Sequence, residues 1–263
     1  MKRLKVTIFG QKLGDLEQRM IAFPPVKGFS MILAFFAALG LLDINSAAAT
    51  EEGIALAIVY DTSGSMRETV ASGPGKTAAK YIVANKALST IADRLDRFST
   101  NSPSGSPRKV EVGLYIFRGS SAAPVVPFGP RQPGAIQKWV AGFTDPNGTT
   151  PLGNSISVAS KAVSASALNH KHVLILTDGM NTSGPPPETV IPMIQRSGTN
   201  APSFHFVAFD VDAKVFEPVK KLGATVLGAS NEQQLNSQLE YIFERKILLE
   251  DEEPSRPAAV KPK

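Results

Sequence analysis

The run IALAIVY at 54–60 is apolar at every position before its closing tyrosine. Side chains of a strand point alternately to opposite faces, so a strand apolar on both is one covered on both, as in a parallel sheet layered between helices. Further runs of this kind are VEVGLYIF (110–117), HVLILT (172–177), FHFVAF (204–209) and the short ATVLG (224–228), with APVVPF (123–128) suited to an edge. Between them apolar residues return at helical spacing. Ala84, Leu88, Ile91, Leu95 and Phe98 form one stripe, and Leu152, Ile156, Ala159 and Val163 form another. GAIQKWVAGF (134–143) is a weaker helix and PETVIPMIQRSG (187–198) is interrupted by Pro192. NEQQLNSQLEYIFERKILL (231–249) closes the series with Leu235, Leu239 and Ile242 on one face and Asn231 as its N-cap. This alternation predicts an α/β fold, a doubly wound and mostly parallel central sheet flanked by helices.

The two ends of the chain have a different character. MILAFFAALGLL (31–42) is apolar but short for a bilayer crossing; a basic stretch precedes it and INSAAAT follows. Ala47 and Ala49 suit a small-residue cleavage site, so residues 1–49 are expected to be an export signal that leaves a mature start at Thr50. The alternative is an uncleaved anchor in the inner membrane through 31–42, the one membrane association the sequence suggests. A start at Met20 would give a more usual signal length and keep Lys27 as the basic residue. Export implies a periplasmic or secreted protein. EDEEPSRPAAVKPK (250–263) has the composition of a disordered tail, which leaves 50–249 as the folded domain.

Composition narrows the function. The formal charge of +5 arises largely before position 50, where six basic residues face three acids; 22 basic and 20 acidic residues remain beyond it. That near-neutral balance, with no basic stripe interleaved with aromatics, argues against a nucleic-acid partner. The absence of cysteine excludes disulfides, thiolate zinc sites and a cysteine nucleophile.

In a doubly wound sheet, ligands bind outside the carboxyl ends of the strands. The first strand ends in DTSGSM (61–66), another ends in Thr177, Asp178 and Gly179, and the loop TDPNGTTPLG (144–153) enters a helix through Thr149 and Thr150. Carboxylate and hydroxyl oxygens without histidine or cysteine suit Mg2+ or Mn2+ rather than zinc or copper. Ser63 and Ser65, two apart, can face one point while Gly64 permits the bend. Each fragment alone reads as a turn or a helix start, and their weight is joint. His170 and His172 flank a strand entrance at the opposite end and His205 lies inside a strand, so all three are taken as structural. Asp210 and Asp212 are expected to cap the next helix, and Trp139 to join the core. Arg67 is the one cation apparent in the metal loops.

DTSGSM resembles the D-x-S-x-S signature of von Willebrand factor type A (VWA) domains, and LILTDG resembles that family's third loop. The resemblance covers roughly 52–249 in family order. It implies a Rossmann-like fold with a metal-ion-dependent adhesion site, in which Ser63, Ser65 and Thr150 (favoured over Thr149) hold Mg2+ or Mn2+. Asp61 and Asp178 would act directly or through water, and an Asp or Glu of a partner protein would complete the coordination. The function so implied is a non-catalytic protein-binding module. The alternative is a metal-dependent hydrolase or phosphatase on the same oxygens, for which the metal loops offer no evident catalytic set.

Overall fold

A computed structural model of the chain describes residues 50–100, 107–196, 198 and 200–248. The expected export segment (1–49) and tail (250–263) lie outside the described residues. The strands are β1 (Glu51–Tyr60), β2 (Thr69–Gly73), β3 (Lys76–Ala79), β4 (Val110–Arg118), β5 (Ser121–Pro130), β6 (Leu168–Thr177), β7 (Ser203–Phe209) and β8 (Thr225–Ala229). The α-helices are α1 (Lys80–Thr100), α2 (Ala135–Gly142), α3 (Leu152–Ser164), α4 (Pro187–Arg196), α5 (Glu217–Lys221) and α6 (Glu232–Ile242).

Six strands form the central sheet in the order β5-β4-β1-β6-β7-β8, with every neighbouring pair parallel except β4 and β5. From β1 the chain builds outward to β4 and β5 on one side, then returns to lay β6 on the other. The order therefore reverses at β1 and β6, and the carboxyl ends of these two strands are where a crevice opens.

The pleat of β1 divides the core in two. Ile54, Leu56, Ile58 and Tyr60 face the layer of α1, α2 and α6, while Ala55, Ala57 and Val59 face the layer of α3, α4 and α5. All seven are fully buried, which accounts for the unbroken apolar run. Each large side chain so buried contributes about 1.5–3 kcal/mol. The alanines admit α3 against the strand, where Leu152, Ile156, Ala159 and Val163 are fully buried.

Some expectations need revision. Residues 69–79 form the antiparallel hairpin β2–β3, which the apolar pattern did not signal, and α1 begins at Lys80 directly after it. Pro192 does not interrupt α4, which runs through it to Arg196; the ring removes one backbone bond near the helix start, and the helix ends four residues later. The last helix is α6 followed by a π-helical turn, Phe243–Ile247, rather than one regular helix. Asn231 does cap α6, its Oδ1 accepting from the Gln234 N–H at 2.9 Å. Among the described residues, no helix is long and apolar enough to cross a membrane.

Candidate metal centre

Beyond β1 the chain turns at Asp61 into a short 3-10 helix, Gly64–Arg67. Met66 of this turn is fully buried in the core, which pins the turn against the end of the sheet. Asp61 is fully buried as well. Its Oδ1 accepts from the Ser63 N–H at 2.8 Å, and its Oδ2 accepts from the Thr177 hydroxyl at 2.5 Å. Burial, followed by the neighbouring Asp178 charge, pushes its carboxyl up to about 6, against the lowering effect of the Ser63 and Thr177 hydrogen bonds.

Ser63 and Ser65 do face one point, with their hydroxyl oxygens 3.1 Å apart. The Ser65 hydroxyl then donates to Asp178 Oδ1 at 2.8 Å, joining the end of β1 to the end of β6. Thr62 turns the other way, its hydroxyl 3.4 Å from the Phe117 carbonyl.

The loop 144–153 is held by backbone bonds to the turn after β1. The Asn147 N–H donates to the Thr62 carbonyl at 2.7 Å and the Gly64 N–H to the Gly148 carbonyl at 3.2 Å, with Gly148 at φ +87°, a region that suits glycine. Below it, Asn85 of α1 donates to the carbonyls of Val140 and Phe143 and accepts from the Tyr60 hydroxyl. Trp139 and Phe143 stack at 4.9 Å between ring centroids beside Tyr60, so Trp139 packs on the core.

Thr150 is 5% exposed, and its Oγ1 lies 3.9 Å from where a β-carbon on Gly179 would stand. Its backbone pairs with Thr182, accepting from the Thr182 N–H and donating to the Thr182 hydroxyl, both at 2.9 Å. Thr149 is exposed and points toward the Gly119 carbonyl. Asp61, Ser63, Ser65, Thr150 and Asp178 are thus brought to one end of the sheet, as an all-oxygen group.

Asp210 departs from its expected capping role, and both Lys80 and Arg67 are engaged by carboxylates. Lys80, which no sequence pattern singled out, is 2% exposed and bonds Asp178 Oδ2 at 3.1 Å. Arg67 is paired with Asp145 at 2.5 Å on the surface. Asp212 caps the turn that follows β7, accepting from the Lys214 N–H, whereas Asp210 turns back to Lys80 at 3.0 Å. The three histidines stand apart from the site. His172 and His205 are a buried, stacked pair with ring nitrogens 3.2 Å apart on β6 and β7, and His170 precedes them on β6.

Residues 56–181 match the family model of the von Willebrand factor type A domain. The fold is that of a type A domain. Similar solved structures include a mutant of the PilB minor pilin from Streptococcus sanguinis, at 14% identity and TM-score 0.58 over 77% of this chain and 62% of that one. The VWA domain of SpRpn10 matches at 11% identity and TM-score 0.51 over 72% and 94% of the two chains. The vWF domain of Mfa5, a type V pili tip protein from Porphyromonas gingivalis, matches at 13% and 0.50 over 74% and 95%. Identities of this size speak for the type A fold alone, and the chain spans less than two thirds of the pilin. No curated protein sequence matches the chain.

Proposed function

We propose that this type A domain is a non-catalytic, metal-dependent protein-binding module. Ser63, Ser65 and Thr150 would hold Mg2+ or Mn2+ by their hydroxyls, with Asp61 and Asp178 acting directly or through water. The observation that carries this reading is the contact chain from Ser63 through Ser65 to Asp178 across the ends of β1 and β6. The donor chemistry fits a hard divalent ion: the side-chain polar atoms of Asp61, Ser63, Ser65, Thr150 and Asp178 are all hydroxyl or carboxylate oxygens, with the Lys80 ammonium beside Asp178. Neutral hydroxyls leave much of a divalent charge uncompensated, so the bound ion would attract an Asp or Glu of a partner protein. Two of the similar structures are pilus proteins by name, which supports a role in protein assembly outside the cytoplasm. An exported location, periplasmic or secreted, is part of the proposal, and N-terminal sequencing of the extracted protein tests it: an intact Met1 or Met20 contradicts cleavage after Ala49.

A hydrolase reading needs a cation free to meet substrate. Lys80 is enclosed by three carboxylates and Arg67 is paired with Asp145, so both are engaged; Arg118, exposed at the end of β4 in the cleft with Thr62 and Gly148, is the cation such a reading would use.

The test is a thermal melt with and without Mg2+ or Mn2+ together with a pull-down from the native host with and without EDTA. A metal-dependent rise in Tm that Asp61→Ala removes, and a protein captured only with metal, are expected. No rise in the unaltered protein overturns the metal reading.

A further inference from the structure

Lys80 opens α1, yet its side chain runs inward. Its ammonium meets Glu68 Oε2 at 2.8 Å, Asp210 Oδ2 at 3.0 Å and Asp178 Oδ2 at 3.1 Å. An ammonium has three protons, so these bonds exhaust it. The carboxylates come from three parts of the chain: the residue after the 3-10 turn, the end of β6 and the end of β7. Burial opposes the charge on Lys80, but the bonds to Glu68, Asp210 and Asp178 outweigh it and raise the amine above its ordinary value.

Asp210 supplies an independent sign that the cluster is built. It is the one non-glycine at positive φ among the described residues, at +56°, held there by its N–H on the Ala229 carbonyl at 2.6 Å. Left-handed backbone costs free energy outside glycine, and here it delivers a carboxylate to Lys80.

The side chain of Asp178 is fully buried between two donors, Ser65 at Oδ1 and Lys80 at Oδ2. Both of its oxygens therefore have protein partners. Two consequences for an incoming ion oppose each other. Lys80 pre-orients Asp178, which favours binding, and it places a positive charge beside a group that faces the ion, which disfavours it. A divalent ion feels that unit charge twice over. Ordering one short carboxylate that Ser65 already holds saves little entropy. Glu68 and Asp210, with side chains 67% and 37% exposed, are screened by water and offset Lys80 in part. Repulsion is the larger effect.

We infer that Lys80 is a built-in counter-cation of the metal centre: it stabilises Asp178 in the metal-free protein and weakens the divalent site, so that metal exchanges readily in a domain that stays folded without it. Lys80 acts through Asp178 and is a positioning residue. The inference rests on the metal reading proposed above for Ser63, Ser65, Thr150, Asp61 and Asp178.

The experiment measures melting in EDTA and Mn2+ affinity by calorimetry on the full chain, for the unaltered protein, Lys80→Met, Lys80→Arg and the pair Lys80→Met/Asp178→Asn. Lys80→Met should lower Tm in EDTA by about 10 °C, because Asp178 is left as a buried lone charge. It should bind Mn2+ about tenfold more tightly. Lys80→Arg should retain near-native Tm and Mn2+ affinity, and the pair should recover most of the lost Tm in EDTA. Unchanged or weaker Mn2+ binding by Lys80→Met overturns the inference. If Lys80→Met does not fold in EDTA, recovery by Mn2+ or by Asp178→Asn supports it. Failure of both means that the lysine stem, not its charge, is what the fold needs, and overturns it. If the unaltered protein binds no Mn2+, the metal reading fails, and recovery in EDTA still reports whether Lys80 and Asp178 are coupled.

Discussion

The hydroxyl of Thr177, last in β6, donates to Asp61 Oδ2 at 2.5 Å across the ends of two adjacent parallel strands, and its oxygen accepts from the Gly179 N–H at 3.3 Å. Thr177 is thus a brace that fixes Asp61. Replacing it by the near-isosteric valine leaves a buried carboxylate short of one hydrogen bond. Thr177→Val should cost about 2 kcal/mol in urea unfolding, the usual range for a bond to a charged group. Thr177→Ser should keep most of that stability. Thr177→Val also removes a contact that lowers the Asp61 carboxyl, so its protonation should extend further toward neutral pH.

Met66 holds the Ser63–Ser65 turn by burying its side chain among core residues. Met66→Ala should cost about 2–5 kcal/mol, the range for deleting a large buried side chain, and should weaken Mn2+ binding because the turn loses its anchor. Met66→Leu, which conserves volume, should cost less than about 1.5 kcal/mol. A loss of stability with unchanged Mn2+ affinity would show that the turn holds its shape without Met66.

The strands and the main helices were legible because burial on both faces of β1 and β6 writes an apolar run, and burial on one face of α1 and α3 writes a stripe. Residues grouped at the strand ends were legible too, since a doubly wound sheet exposes carboxyl ends at its point of reversal. The hairpin β2–β3 was not. Its sequence TVASGPGKTAA carries Val70 as its one buried large apolar residue and otherwise reads as a loop. Lys80 was hidden for a related reason. It lies 98 residues from Asp178, and no local pattern distinguishes an inward-turned lysine from a solvated one at a helix start. The left-handed Asp210 likewise follows from its bond to β8, a contact with no signature in FDVDAK.

Gly153 marks a close approach between α3 and the segment before α4. A β-carbon there would stand 2.0 Å from the Pro185 carbonyl oxygen, far inside contact distance, so the backbone at 185 would have to move. That segment also carries Thr182, the partner of Thr150. Gly153→Ala should therefore destabilise by about 3 kcal/mol despite favouring helix formation locally. It should also weaken Mn2+ binding by displacing Thr150. A melting temperature equal to that of the unaltered protein would contradict the packing described here.

The stacked pair of His172 and His205 gives the domain an acid-sensitive core. His172 is lowered well below its ordinary value by burial first, then by His205 and His170; His205 is lowered to about 4 by burial and by Lys246. A depressed histidine stays neutral in the fold while the unfolded chain takes up a proton, so its contribution is complete above about pH 6.5 and is lost as pH falls toward 4. The His205 shift alone corresponds to about 3 kcal/mol over that window. Asp61 works in the opposite sense, since its carboxyl is raised from 3.8 to about 6 and the fold takes its proton more readily. Comparing the unaltered protein with the double variant His172→Phe/His205→Phe in EDTA cancels the Asp61 contribution, which both share. Stability from urea unfolding should fall more steeply between pH 6.5 and 4 in the unaltered protein, and parallel curves would mean that the two rings titrate alike in the folded and unfolded chain.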